Sequence, residues 1–319
     1  MRVVIIGGTG HIGTYLSPRL VEAGHEVLCV CRGKRDPYQD HAAWRSIARV
    51  ALDRDADDFP KRIAGLNAEA VIDLTCYTPE SARKIVDALW GRVAHFLHCG
   101  TIWVHGHSVV VPTKEDAPRR PFGDYGCRKA AIEEYLLEDA WDRGFPVTVL
   151  HPGHLVGPGW FPINPAGNLN PAVFERLAAG EEVGLPNLGM ETVHHVHCDD
   201  VAQAFEKALA VRERAIGESF HVVSAAAMTL RGYAESMAEW FGHPARLKFL
   251  PWDEWLTGSS EKDAAITWDH IAHSPNCSIE KARTMLGYEP RYSSLAAVKE
   301  SVTWLIVNGK IRANQAKRG

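Results

Sequence analysis

Along its first half the chain alternates between short β-branched runs and longer stretches whose apolar residues recur at helical spacing. Val3-Val4-Ile5-Ile6 makes Arg2–Ile6 a strand of the kind buried on both faces. His11 to Ala23 carries the helical period, and Gly24 closes it. Glu26–Cys31 is a second strand, Ala48–Leu52 a third ending at Asp53, and Ala70–Leu74 a fourth. Ser81–Trp90 is helical, Ala94–Cys99 is a fifth strand, and Tyr125–Asp142 is a long amphipathic helix. Val147–Leu150 is a sixth strand, stopped by Pro152-Gly153. This alternation predicts an α/β fold: a Rossmann-type doubly wound parallel sheet with right-handed crossovers.

The rhythm changes near Gly157. The stretch Gly157–Pro171 is rich in proline, glycine and asparagine, the composition of a lid or substrate loop. A helix follows around Ala172–Ala179, then strands at Thr192–His197 and Ser219–Val223, and mostly helix from Thr229 to Lys310. The expected division is a dinucleotide-binding domain from residues 1–165 plus about 192–224, and a smaller, mostly helical substrate domain from about 166–191 plus 225–319. No internal repeat or low-complexity tract interrupts it.

With 46% hydrophobic and 23% charged residues, the 319-residue chain has the make-up of a soluble globular protein. A formal net charge of −4 gives no nucleic-acid footprint. The basic tail, Lys310-Ile311-Arg312 to Lys317-Arg318, reads as a frayed end. None of the seven cysteines forms a C-x-x-C pair, which suggests free thiols in a reducing compartment. No apolar run reaches the ~20 residues of a membrane span, and no signal peptide is visible. A cytoplasmic protein without membrane or nucleic-acid partners is expected.

The chemistry is concentrated in two motifs. Gly7-Gly8-Thr9-Gly10-His11-Ile12-Gly13 is a glycine-rich turn between a buried strand and a helix, the setting of a dinucleotide pyrophosphate site. Gly7 allows the tight turn, Gly10 lets the backbone approach the pyrophosphate, and Gly13 permits close helix–strand packing. Thr9, His11 and Ile12 complete the turn, and the helix N-terminus faces the phosphates. Cys31 stands where an acidic residue would bind the ribose 2′-hydroxyl of NAD, and Arg32-Gly33-Lys34-Arg35 follows. Arg32 suits a 2′-phosphate, so NADP(H) is favoured with NAD(H) possible. Asp53 is assigned either to the adenine amino group or to a helix N-cap.

Tyr125 and Lys129 lie one helical turn apart on one face. A free tyrosine pKa near ~10 makes a poor base at neutral pH. The Lys129 ammonium is expected to lower it while bonding the nicotinamide ribose. Thr101, just beyond the fifth strand at the ligand-binding edge of the sheet, is expected to hold the substrate oxygen.

These residues resemble the extended short-chain dehydrogenase/reductases, also called the NAD-dependent epimerase/dehydratase family, and the resemblance covers nearly the whole chain. Ile6–Gly13 is similar to T-G-x-x-G-x-x-G, with Ile6 in place of threonine. Gly100–Gly106 is similar to S-S-x-x-V-Y-G, and Tyr125–Lys129 to Y-x-x-x-K. Leu150–Gly159 is similar to L-R-P-x-x-V-Y-G-P-G, His195–Ala202 to F-I-H-V-x-D-V-A, and Ser278–Tyr292 to S-K-A-x-x-x-L-G-W-x-P. The resemblance implies a catalytic set of Tyr125, Lys129 and Thr101. It implies that Pro152, Gly153 and His154 border the nicotinamide. It also implies a sugar-like substrate and a homodimer paired through the Tyr125 helix. The departures narrow this. Ile102-Trp103 replaces the Asp-Glu pair of sugar-nucleotide dehydratases, so loss of water is not expected. Val193 and His151 replace arginines, which weakens the charge complement for a nucleotide diphosphate.

Tyr77, Trp103, His105 and Trp160 are the candidate substrate-facing residues, with a backbone-bonding role as the alternative for His105 and His154. His194-His195-Val196-His197 invites a metal reading, but a strand places only His195 and His197 on one face, and no metal is expected. The residues therefore predict an NAD(P)-dependent oxidoreductase acting on an alcohol or ketone. The alternatives are an epimerase with tightly held cofactor and, in another class, a non-catalytic dinucleotide-sensing or RNA-associated protein.

Overall fold

A computed structural model describes residues 1–313; Lys317 and Arg318 of the basic tail lie outside that range. In chain order the elements begin β1 (Arg2–Ile6), α1 (Gly13–Glu22), β2 (Glu26–Cys31), β3 (Ala48–Ala51), α2 (Phe59–Ala64), β4 (Ala70–Asp73), α3 (Pro79–Leu89) and β5 (His95–Cys99). They continue with α4 (Gly123–Arg143), β6 (Val147–Pro152), β7 (His154–Val156), α5 (Ala172–Ala178), β8 (Glu182–Pro186), β9 (Thr192–Val193) and β10 (His195–His197). Next come α6 (Cys198–Ala210), α7 (Arg212–Ala215), β11 (Ser219–Val222), β12 (Met228–Thr229), α8 (Leu230–Trp240) and β13 (Arg246–Leu250). The series ends with α9 (Trp252–Thr257), α10 (Glu261–His273), α11 (Glu280–Leu286) and α12 (Ser294–Val307).

Seven strands form one parallel sheet in the order β11-β6-β5-β4-β1-β2-β3. The period of two along β1 divides its side chains between two cores. Val3 and Ile5 join Leu16 and Leu20 of α1 and Val201 and Phe205 of α6. Val4 and Ile6 join Ile85 and Val86 of α3 and Ile132 and Leu136 of α4. That two-sided burial is why the run reads as continuously apolar. A third core lies in the C-terminal part, where Phe174, Leu185, Tyr233, Met237, Trp255 and Val298 meet.

The structure departs from the sequence reading in three places. β6 continues through Pro152, which pairs with Val222 as the last residue of its strand, where the missing N–H breaks no ladder. The expected strand over residues 192–197 breaks at His194: β9 pairs antiparallel with β12, and β10 pairs parallel with β7. β8 and β13 form a separate parallel pair that periodicity did not mark, because β13 is a half-buried ribbon. Among the described residues no helix is long and apolar enough to cross a membrane. The seven cysteines are free thiols, and Cys29, Cys76, Cys99, Cys198 and Cys277 are buried.

Candidate active site

The turn after β1 is built from backbone. Gly7 has φ +89° and its N–H donates to Val30 O at 2.8 Å; the Gly10 N–H then donates back to Gly7 O at 2.9 Å. A side chain at Gly13 would place Cβ 2.4 Å from Gly8 O, so α1 meets the turn at a distance only glycine permits. Thr9 and Ile12 are buried. Ile12 stands at the N-cap of α1 with no side-chain hydrogen bond, and the first turn carries no acidic residue. The Thr14 and Tyr15 amides bond back to Gly10 O and Ile12 O at 2.9 and 3.1 Å, so the amides left for an anion are those of the turn itself, His11 to Gly13. This cradle fits a dinucleotide pyrophosphate held by Gly7, Gly10, His11, Ile12 and Gly13.

His11 is held from both sides. Its ring stacks on Trp160 at 3.7 Å, and its Nε2 lies 2.9 Å from the Tyr38 hydroxyl, which also accepts from Arg35 at 2.6 Å. Burial, then Arg35, lowers the His11 pKa to about 4, so the ring is neutral. Trp160 was expected to face substrate. Instead one face of its indole covers the glycine turn, and its N–H donates to Leu155 O at 3.2 Å. Arg32 is exposed just beyond β2 and forms no ion pair among the described residues. Asp53 caps no helix: it is exposed and accepts from the Asp55 amide at 3.2 Å, while Asp58 stands at the N-cap of α2. Sequence reasoning missed the pair beside it, a two-pronged contact of Arg54 with buried Asp73 at 2.7 Å on each prong.

Tyr125, Lys129 and Thr101 do come together. Tyr125 lies in the first turn of α4, 43% exposed, with its ring edge-on to Trp103 in the 3₁₀ turn that Thr101 caps. Thr101 caps the 3₁₀ turn Ile102–His105, where its hydroxyl accepts from the Trp103 amide at 3.3 Å. Buried Lys129 donates from Nζ to Cys99 O at 2.7 Å and Cys76 O at 2.8 Å, and its ammonium lies 5.0 Å from the ring centre of Tyr77. Two of its three protons are committed, and one is left for a ligand.

The expected electrostatics need correcting. Loss of hydration raises the Tyr125 pKa above its ordinary value, the nearby Cys99 thiol adds to the rise, and neighbouring Thr101 opposes it. Burial also pushes the Lys129 ammonium down. Burial outweighs the pull of the Lys129 ammonium, and Tyr125 stays protonated at neutral pH.

Behind Thr101 lies a polar strut. The Thr101 amide donates to His151 Nδ1 at 3.0 Å, and His151 Nε2 meets Glu133 Oε1 at 2.8 Å. Arg119 closes on both Glu133 oxygens at 2.5 and 2.9 Å. Because Nδ1 accepts, His151 is the neutral Nε2–H tautomer. Burial favours the neutral carboxyl of Glu133, but His151 and Arg119 outweigh it and hold the pKa well below the ordinary value. The signal was available in the sequence: Glu133 continues the four-residue spacing from Tyr125 and Lys129 along one helix face.

Of the remaining candidates, His105 is turned inward, 6% exposed, with Nε2 2.8 Å from His221 Nε2, which removes it from the substrate-facing set. Trp103 meets Tyr125 edge-on at 5.9 Å, and Tyr77 is exposed above Lys129. Pro152 ends β6, the Gly153 amide donates to Val222 O at 3.2 Å, and His154 begins β7. Among the described residues no three His, Cys, Asp or Glu side chains converge as a metal site requires.

Known proteins are similar to this chain in sequence and fold. A protein named 2'-dehydrokanamycin reductase from Streptomyces kanamyceticus is 25% identical over 98% of this chain and 86% of its own length. A chloroplast stem-loop binding protein of 41 kDa from Arabidopsis thaliana is 28% identical over 94% of this chain and 78% of its own. Among solved structures, a UDP-glucose 4-epimerase from Thermotoga maritima superposes with a TM-score of 0.74 at 23% identity, covering 97% of this chain and 99% of that one. The family profile described as NAD dependent epimerase/dehydratase matches residues 3–222. A match over that much of the sheet and its cleft places the chain in the NAD dependent epimerase/dehydratase family.

Proposed function

We propose that the chain is an NADP(H)-dependent oxidoreductase that interconverts a ketone and an alcohol on a sugar-like substrate. The observation that carries this reading is Tyr125, one helical turn from buried Lys129 and packed against the 3₁₀ turn that Thr101 caps, with its phenol protonated at neutral pH. A neutral phenol is a ready acid for a carbonyl oxygen that gains negative charge as it is reduced. Thr101 donates to the same oxygen, and the remaining Lys129 proton holds the nicotinamide ribose. The nicotinamide, when bound, supplies or takes up the hydride. Pro152, Gly153 and His154 border it, and Arg32 meets the 2′-phosphate.

We read residues 1–165 with about 192–224 as the dinucleotide-binding unit and the rest as the substrate unit, in a cytoplasmic homodimer paired along α4. Trp141 near the end of α4, 90% exposed, is the kind of surface a second copy would cover. The test is loss of reduced-nicotinamide absorbance when purified protein meets NADPH and a panel of keto-sugars. Steady consumption is expected, and no binding of either dinucleotide would overturn the assignment. Turnover of a sugar without net change in absorbance would favour the epimerase. Similarity to the Arabidopsis stem-loop binding protein favours a third outcome, a binding protein. Tight binding of a stem-loop RNA with no effect of Tyr125→Phe would establish that one.

A further inference from the structure

We infer that Trp103, His154, His195, His270 and His273 form a recognition site for an uncharged, polyhydroxylated ring, and that such a ring, not a nucleoside diphosphate, is what meets Tyr125. The inference rests on the oxidoreductase reading and names its substrate class. The cluster starts at the reacting hydroxyl. Trp103 lies 5.9 Å from Tyr125, His273 stacks on Trp103 at 4.1 Å, and His270 meets it edge-on at 5.2 Å. His154 lies 4.8 Å from His270 and 5.8 Å from His195. The rings come from the 3₁₀ turn after β5, from β7, from β10 and from α10, so they line the seam between the sheet and the C-terminal helices.

The hydrogen bonds already made fix what is left over. His195 Nε2 meets Ile163 O at 3.1 Å, His270 Nδ1 meets Ile266 O at 2.6 Å, and His273 Nδ1 meets Asp269 O at 2.6 Å. A carbonyl only accepts, so each of those nitrogens carries the ring proton, and the opposite nitrogen of a neutral ring is a bare acceptor. His195 Nδ1 and His273 Nε2 are buried without partners, and so are both nitrogens of His154. Burial keeps the rings neutral: it lowers His195 to about 3 and His270 and His273 to about 4, and it takes His154 well below its ordinary value.

A site made mainly of acceptors calls for donors. Hydroxyl groups donate and accept, and a ring carrying several of them matches this lining. A diphosphate has acceptor oxygens only and would meet lone pairs without a compensating cation. The unpaired nitrogens are sealed from solvent. Ring hydroxyls would pair nitrogens whose isolation costs stability in the free protein.

Two measurements test this. His154→Phe keeps an aromatic ring but removes two unpaired buried nitrogens, so the melting temperature of the ligand-free protein should rise by about 2 °C; a fall would overturn the claim that those nitrogens are unsatisfied. In the second, histidine ¹⁵N spectra of the NADPH-loaded protein are recorded against a panel of uncharged methyl hexopyranosides and inositols, and against UDP-glucose. Movement of the His154, His195 and His273 signals with a member of the uncharged panel is expected. Movement with UDP-glucose in its place, or with none of them, overturns the inference. Failure of NADPH itself to bind would instead sink the oxidoreductase reading, so the two failures are distinguishable.

Discussion

At the dinucleotide end of the cleft, the groups offered to a ligand are backbone, the Gly7–Gly13 turn and its amides from His11 to Gly13. At the other end they are side chains, histidines and a tryptophan drawn from residues 103 to 273 with ring nitrogens left unpaired. The first end recognises what every dinucleotide shares and leaves little freedom to the sequence. The second recognises one substrate class and tolerates stored instability until that substrate arrives. Thr101 and Tyr125 stand where the two meet, held from behind by Glu133 and His151.

The sharpest test of that division is Tyr125→Phe. Removing the hydroxyl should lower kcat/KM about 10³-fold, while NADPH affinity measured by fluorescence titration changes less than about twofold. Tyr125 packs against Trp103 beyond β5, whereas the glycine turn follows β1. A parallel loss of dinucleotide affinity would show that the two ends are not separable.

A second test strikes the support between them. Glu133→Gln should cost about 3 kcal/mol of folding stability at neutral pH, because it leaves the Arg119 guanidinium, mostly buried, without its anion. The carboxyl is depressed in the folded state. Its contribution is therefore complete above the unfolded value of 4.5 and is lost as pH falls toward the folded value. The stability difference between the two proteins should shrink below about pH 4.5. A difference independent of pH would mean that Glu133 is not an ionised strut.

The same contrast explains what was legible in the sequence. The strands of the central sheet stand close to where the hydrophobic rhythm puts them, because a strand buried on both faces writes its position as a local run. Tyr125 and Lys129 are legible as a pair because one helical turn separates them. Asp73 and Arg54 were not, since their contact joins the ends of two different strands. His270 and His273 reach Trp103 across roughly half the chain, and nothing local distinguishes them from helix-surface histidines. The charge on Tyr125 was misjudged for a related reason. Spacing brings Lys129 near, but only tertiary structure shows that its ammonium already donates hydrogen bonds to the Cys76 and Cys99 carbonyls.

The smallest effect belongs to Arg32, and it asks whether the backbone-built end carries any side-chain specificity at all. Arg35 is engaged with Tyr38, and Arg49 with Asp36, whereas Arg32 is exposed and unpaired among the described residues. Arg32→Ala should therefore weaken NADPH about tenfold, roughly 1.4 kcal/mol, and leave NADH almost untouched, since only the 2′-phosphate offers a guanidinium a charged, forked partner. Arg35→Ala is the control: it loosens the Tyr38–His11–Trp160 contact over the glycine turn and should weaken both dinucleotides alike. If Arg32→Ala also weakened both alike, the basic loop would be supporting the turn instead of reading the ribose. Discrimination between the two cofactors would then have to come from elsewhere on the β2 edge.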